Sequence, residues 1–344
     1  MRVRKNSGMT QPLYELPKAE LHLHIEGTLE PDMVFALAER NGIELPFESV
    51  ADLTSRLQFT DLQSFLDLYF ACSVVLREEQ DFYDLATAYL KKAHSQGLRH
   101  IEMFFDPQAH TMRGVGIDTV IDGLKRALDD AFAEFGITGG LILCFLRDLP
   151  VESAFAVLDA VAERAVAGDL IGVGLDSAEV GYPPEIFEQV YARARELGLH
   201  CVAHAGEEGG PEYVEGALDA LKCERIDHGI RSLQNPALVE RLRASQVPLT
   251  VCPLSTVRLR GVETMAEHPL PRMLEAGLLV TINSDDPSYF GGYVGDNYIA
   301  VQEAFGFSDA AMAALAMNSV AASFAPAGRK AELRGEIAAW SGRR

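Results

Sequence analysis

Short apolar runs recur along the chain. Each closes on a polar or small-residue cluster, and a longer stretch with helical spacing follows. The runs are AELHLHIEG (19–27), HIEMFFDP (100–107), GGLILCFLRD (139–148), LIGVGLDSAE (170–179), HCVAHAGE (200–207), RIDHGI (225–230), PLTVCPLS (248–255) and LLVTINSDDP (278–287). Rich in Val, Ile, Leu and Phe and bounded by Gly, Pro or Asp, they read as buried strands of a parallel sheet. Between them, FYDLATAYLKKAHSQG (82–97), TVIDGLKRALDDAFAEFG (119–136), ESAFAVLDAVAERAVAG (152–168) and PEIFEQVYARARELG (184–198) carry apolar residues at three- and four-residue steps. Each ends in Gly, a usual helix stop. Eight strands alternating with helices predict an α/β protein with a (β/α)8, TIM-like barrel. The alternative is an open doubly wound sheet, which would carry a glycine-rich phosphate turn after its first strand; here Glu26-Gly27-Thr28 follows. Segment 29–81, between the first two strands, reads as additional helices. Its amphipathic DLQSFLDLYF (61–70) could cover the barrel mouth as a lid.

Length alone, at 344 residues, suggests about two domains. The strand count replaces that with one barrel over 16–330, a loose extension at 1–15 and a tail at 331–344. Lys plus Arg is 30 and Asp plus Glu is 50, a net charge of −20. Such a chain repels phosphate backbones and anionic lipid, so neither nucleic acid nor a membrane surface is an expected partner. Cys72, Cys144, Cys201, Cys223 and Cys252 show no CxxC spacing. They read as inert thiols of a reducing cytoplasm. No apolar stretch approaches ~20 residues, and the basic start (Arg2, Arg4, Lys5) has no apolar run behind it to make a secretory signal.

Polar exceptions gather at the C-terminal ends of the strands, where barrels of this kind place their chemistry. His22 and His24 are two apart on a strand and so share a face. One buried histidine reads as core; two together favour a metal. His204-Ala205-Gly206-Glu207-Glu208 closes the fifth strand. There His204 is a further nitrogen ligand, Glu207 a carboxyl able to deliver a proton, and Glu208 a solvated acid. Asp227-His228 closes the sixth strand; by alternation Asp227 faces the opposite side, and His228 alone reads equally well as structural. Asn283-Ser284-Asp285-Asp286-Pro287 closes the eighth. It reads alone as a capped turn, but barrel closure brings Asp285 to His22 and His24. Imidazole and carboxylate without thiolate suit zinc or another divalent first-row metal, with water at an open position whose pKa falls toward ~7.

PKAELHLHIEGTL (17–29), HAGEE (204–208), RIDHG (225–229), VCPLS (251–255) and NSDDP (283–287) together resemble the adenosine and AMP deaminase family of the amidohydrolase superfamily. The resemblance spans nearly the whole chain in the family's order. It implies zinc-dependent hydrolytic deamination of a 6-aminopurine, with one Zn2+ per chain on His22, His24, His204 and Asp285. Glu207 would protonate ring N1, His228 would orient and help deprotonate the attacking water, and Asp286 would hydrogen-bond N7. The chain departs from the adenosine enzymes at Glu26, where they carry Asp near the ribose. It departs again at Glu179, at or near a glycine whose backbone reaches N3. ERIDHGIRSL (224–233), VCPLSTVRL (251–259) and DDPSYFGGYV (285–294) look like the adenine deaminase branch. The expected substrate is therefore free adenine, converted to hypoxanthine and ammonia in purine salvage, with Glu179 at the N3/N9 edge and Glu26 also in contact. Adenosine or an N6-substituted adenine is the alternative.

Two other readings compete. An esterase, lactonase or phosphotriesterase on the same barrel often bridges two metals with a carboxylated lysine at the fourth strand, and LIGVGLDSAE has none. A non-catalytic purine-binding barrel is opposed by the complete set of acid, water-orienting and metal positions. His94, His100, His110, His200 and His268 read as surface or packing residues. Ser255 and Ser284 are assigned to the site by resemblance alone, and oligomeric state is open.

Overall fold

A computed structural model describes residues 11–342. Its strands are β1 (Lys18–Glu20), β2 (Leu98–Phe105), β3 (Thr138–Leu146), β4 (Gly172–Asp176), β5 (His200–Ala205), β6 (Arg225–His228), β7 (Leu249–Val251) and β8 (Val280–Ile282). They pair in sequence order, all parallel. Backbone bonds from Asp285 N–H to the His22 carbonyl (3.2 Å) and from His24 N–H to the Asp285 carbonyl (3.1 Å) close the circle beyond β8 and β1. The fold is a (β/α)8 barrel.

The apolar surface is divided as a barrel requires. Strand residues facing outward join the helices in one large core, whereas Phe104, Ile142, Cys144 and Val202 form a small separate cluster with Ile171 and Phe324 packed against it. The polar fill is also fixed. Arg225 is fully buried, donates to Glu102 at 2.5 Å and to the Leu21 carbonyl at 3.1 Å, and lies over the Phe324 ring.

Segment 29–81 holds three helices, Pro31–Asn41, Val50–Ser55 and Leu62–Ser73. The third carries an Asp61/Ser64 capping box and lays Leu62, Phe65, Leu66, Tyr69 and Phe70 over the barrel mouth. Of the expected extension 1–15, residues 1–10 lie outside the described residues. Leu13 is buried, and Lys18 donates to the Leu16 carbonyl at 2.7 Å. The expected tail at 331–344 is instead helical as far as Ser341: the helix Ala327–Ser341 buries Leu333, Ile337 and Trp340, which recur on one face.

Burial would raise the Glu102 carboxyl, but the facing Arg225 and His100 bring it down to about 2 from 4.5. A depressed carboxyl stabilises the fold above its unfolded value and loses that contribution as pH falls from 4.5 toward about 2. Glu102→Gln, which strips a buried cation of its partner, should cost about 3–5 kcal/mol at pH 7 in denaturant titrations. The difference from wild type should shrink at pH 3.

Candidate active site

The strand ends depart from regular β geometry, and these departures build the site. β1 stops at Glu20 because the Leu21 N–H turns to the Asn283 side chain (2.9 Å) rather than to a neighbouring strand. Beyond it, Leu23 bridges Asp285 and His24 bridges Phe104, which keeps His22 and His24 on the inner face. Ser177, His228 and Asp285, following or ending β4, β6 and β8, all have left-handed backbones (φ 70°, 63° and 65°). For non-glycine residues this is strained, and such strain gathers at functional sites. Gly27 is required sterically, since a Cβ there would overlap the Asp286 carboxylate.

Alternation predicts Asp227 on the face opposite His228; the structure corrects this. The left-handed turn at His228 breaks the period of two, so both side chains point inward. Asp227 accepts the Thr250 hydroxyl at 2.7 Å. Thr250 in turn lies 3.0 Å from His22 Nδ1. Its one proton being committed to Asp227, Thr250 accepts from Nδ1–H, and neutral His22 is left with a bare lone pair on Nε2.

That lone pair faces the Asp285 Oδ1 atom at 3.0 Å. His24 Nε2 lies 3.1 Å from His204 Nε2 and 3.5 Å from the same Asp285 oxygen. On the outer side His24 Nδ1 meets Asp176 at 3.5 Å, and His204 Nδ1 meets Asp227 at 3.8 Å. Three contacts of 3.0–3.5 Å thus link the four donor atoms into one chain. A tetrahedral ion with bonds of about 2.0–2.1 Å separates its ligands by about 3.4 Å, so the set fits a divalent metal. His22, His204, His228 and Asp285 also form a cluster of potential ligands. His228 Nε2, however, stands 3.8 Å from the other Asp285 oxygen and nearer to Glu207, at 3.6 Å.

Electrostatics separates these groups. Burial pushes His22 down to about 3 and lowers His204 and His228 as well, so the imidazoles are neutral. Burial would raise Asp285, yet the facing His22, His228 and His24 hold it well below the usual carboxylate range. Glu207 and Asp286 go the other way: burial, then the neighbouring Asp285 charge, raises both well above it. Glu207 and Asp286 line the same narrow cleft as His24, His204, His228 and Asp285, under the helix Leu62–Ser73.

Two predicted contacts stand one layer back. Glu179 accepts backbone N–H groups of Gly206 (2.6 Å), Glu207 (3.1 Å), Glu208 (2.8 Å) and Gly209 (2.8 Å), and so clamps the loop that carries Glu207. Glu26 accepts from His110 at 2.7 Å and from the Asp106 N–H at 3.2 Å. Neither lines the cleft; Asp106, Asp176, Ser177 and Tyr69 do. Sequence reasoning passed over these four. Asp106 and Asp176 carry the signal that singled out Asp285, an acid closing an apolar run.

The profile of the family described as Adenosine deaminase matches residues 17–340. A protein of Streptomyces coelicolor named adenine deaminase is 59% identical over 312 residues, 91% of each chain. The crystal structure of an adenine deaminase from Arthrobacter aurescens superposes with a TM-score of 0.93 at 54% identity, covering 95% of this chain and 99% of that one. An amidohydrolase from Burkholderia ambifaria, solved with bound Zn, gives 0.90 at 27% identity over 99% and 94%.

Removing the Glu179 clamp strips four N–H groups of their acceptor. A buried donor without a partner costs about 1–3 kcal/mol. Glu179→Ala should therefore speed hydrogen exchange at 206–209 selectively and lower the melting temperature.

Proposed function

The chain belongs to the adenosine deaminase family, and from that premise we propose that it deaminates free adenine to hypoxanthine and ammonia. The observation that carries this reading is the convergence of His22, His24, His204 and Asp285 on one point, with Glu207, His228 and Asp286 along the same cleft. The relatives named adenine deaminase, at 59% and 54% identity, support the free base over the nucleoside.

In this reading His22, His24, His204 and Asp285 hold one zinc ion per chain, a choice supported by the N/O donor set and by the zinc of the Burkholderia protein. When bound, such an ion lowers the pKa of water toward ~7 and makes hydroxide available at neutral pH. His228, kept neutral by burial, orients the attacking water and takes up its proton. Glu207, kept protonated by its surroundings, delivers a proton to ring N1, which makes C6 electrophilic. The water oxygen bonds to C6, His228 passes the proton it took up to the amino group, the C6–N bond breaks and ammonia leaves, and the remaining hydroxyl proton returns to Glu207 as C6 becomes the carbonyl of hypoxanthine. Asp286, also protonated, donates to N7 and holds the ring in plane. Glu179 and Glu26 serve behind the substrate rather than on it.

The substrate is a small neutral base, which the −20 charge does not hinder. No described helix is long and apolar enough to cross a membrane. Five buried free cysteines accord with a reducing cytoplasm.

Glu207→Gln should keep its metal by elemental analysis while losing at least about 10²-fold in kcat/KM on adenine, the scale of a general acid. Near-normal turnover would sink the assignment. The protonated Glu207 does the work, so the wild-type rate should fall as pH rises past its raised pKa. That alkaline limb should vanish in the variant. Chelation should abolish activity, and one equivalent of Zn2+ should restore it.

A further inference from the structure

Four polar side chains line the cleft without a part in the chemistry just derived: Tyr69, Asp106, Asp176 and Ser177. Asp176 already has a task, facing His24 Nδ1 at 3.5 Å. Asp106 is different. Its backbone N–H is held by Glu26 at 3.2 Å, and its Oδ2 accepts the Tyr69 hydroxyl at 2.9 Å. Its backbone is thus anchored by Glu26 and its carboxylate by Tyr69, and the residue is only 2% exposed. Its Oδ1 makes no hydrogen bond within ordinary geometry among the described residues, and neither do the buried Ser177 hydroxyl and the two carboxyl oxygens of Asp176, which stands within 4.8 Å of Asp106. A buried acceptor without a donor is costly, so an acceptor held this firmly is best explained by a donor on the ligand.

The purine supplies that donor. With C6 at the His/Asp cluster, N1 toward Glu207 and N7 toward Asp286, the ring's remaining polar edge is N3 and N9. In a free base N9 carries hydrogen and N3 a lone pair. A nucleoside carries carbon at N9, and its sugar would press on Asp106 and Tyr69.

We propose that Asp106 is a specificity-determining residue that accepts the N9–H of a free purine base through Oδ1, while the Ser177 hydroxyl donates to N3. The proposal rests on the adenine reading above. Discrimination between base and nucleoside then lies at the end of β2, with Glu26 and Tyr69 as the residues that position Asp106.

The test uses the zinc-loaded enzyme, with hypoxanthine and 9-methylhypoxanthine as probes in calorimetry and adenine as substrate. Wild type should bind hypoxanthine at least about tenfold more tightly than the methylated base, because the methyl group leaves Asp106 unpaired. In Asp106→Ser the two dissociation constants should agree within about threefold, with kcat/KM on adenine down at least about 10²-fold and zinc content unchanged. If Asp106→Ser does not fold, Asp106→Ala, which removes the acceptor altogether, should show the same loss of discrimination. A folded variant that still rejects the 9-methyl compound as strongly as wild type overturns the assignment of Asp106 and leaves the adenine reading standing. A wild type that neither deaminates adenine nor binds hypoxanthine overturns both.

Discussion

The site depends on one constraint: three imidazoles and a carboxylate are buried side by side, with His22 and His24 Nε2 3.0 and 3.5 Å from one Asp285 oxygen and the His24 and His204 Nε2 atoms 3.1 Å apart. Lone pairs at this distance repel, and the barrel interior offers no water dielectric to soften the repulsion. A cation between them turns the same geometry into attraction. The surrounding residues make sense as supports for this arrangement. Thr250 and Asp227 fix the tautomer of His22, Asp227 also faces His204, and Asp176 faces the outer nitrogen of His24. Without the Thr250 acceptor the His22 ring could turn or change tautomer, and its inner nitrogen would no longer present a lone pair.

Holding that geometry strains the backbone. Left-handed conformations at Ser177, His228 and Asp285 cost about 1–2 kcal/mol each for residues with a Cβ. The strain sits at the rim, away from the floor, where the Glu102–Arg225 pair and the apolar cluster around Phe104 and Val202 hold the strands. Its consequence is geometric. A regular strand would send Asp227 and His228 to opposite faces; the left-handed residue sends both inward, so one strand end supplies an inner ring and the carboxylate behind its neighbours.

This explains what the sequence made legible. Eight apolar runs with glycine-stopped helices between them sufficed for the barrel, because buried parallel strands and amphipathic helices have different periods. His22 and His24 were legible because a strand's period is two, and Asp285 because barrel closure makes strand eight a neighbour of strand one. Asp227 was misplaced because its partner leaves β geometry, which no residue-type pattern announces. Glu26 and Glu179 were read as substrate contacts because they stand where the adenosine enzymes carry an Asp near the ribose and a glycine whose backbone reaches N3. Only the structure reveals that the backbone N–H groups at 206–209 and the His110–Asp106 pair consume their oxygens. The terminal helix left a trace that was passed over: Leu333, Ile337 and Trp340 recur at helical spacing in the stretch expected as a tail.

The crowding of acids at the barrel mouth follows from the same physics. Were Glu26, Asp106, Asp176, Glu207, Asp285 and Asp286 all ionised, their mutual repulsion in a dry site would open it. They are not equivalent. Asp285 is surrounded by imidazoles and stays ionised; burial would raise Glu26, but the His110 hydrogen bond and charge together with backbone N–H groups bring it down. Asp176, Glu207 and Asp286 have mainly burial and neighbouring carboxylates, and hold their protons far above the usual range. A neutral purine presents acceptors at N1 and N7, which a protonated carboxyl can serve and a carboxylate cannot. The acids that repel one another thereby become the donors that a base of this kind requires, and the proton inventory of the site is set by which carboxyl lies beside an imidazole and which beside another acid.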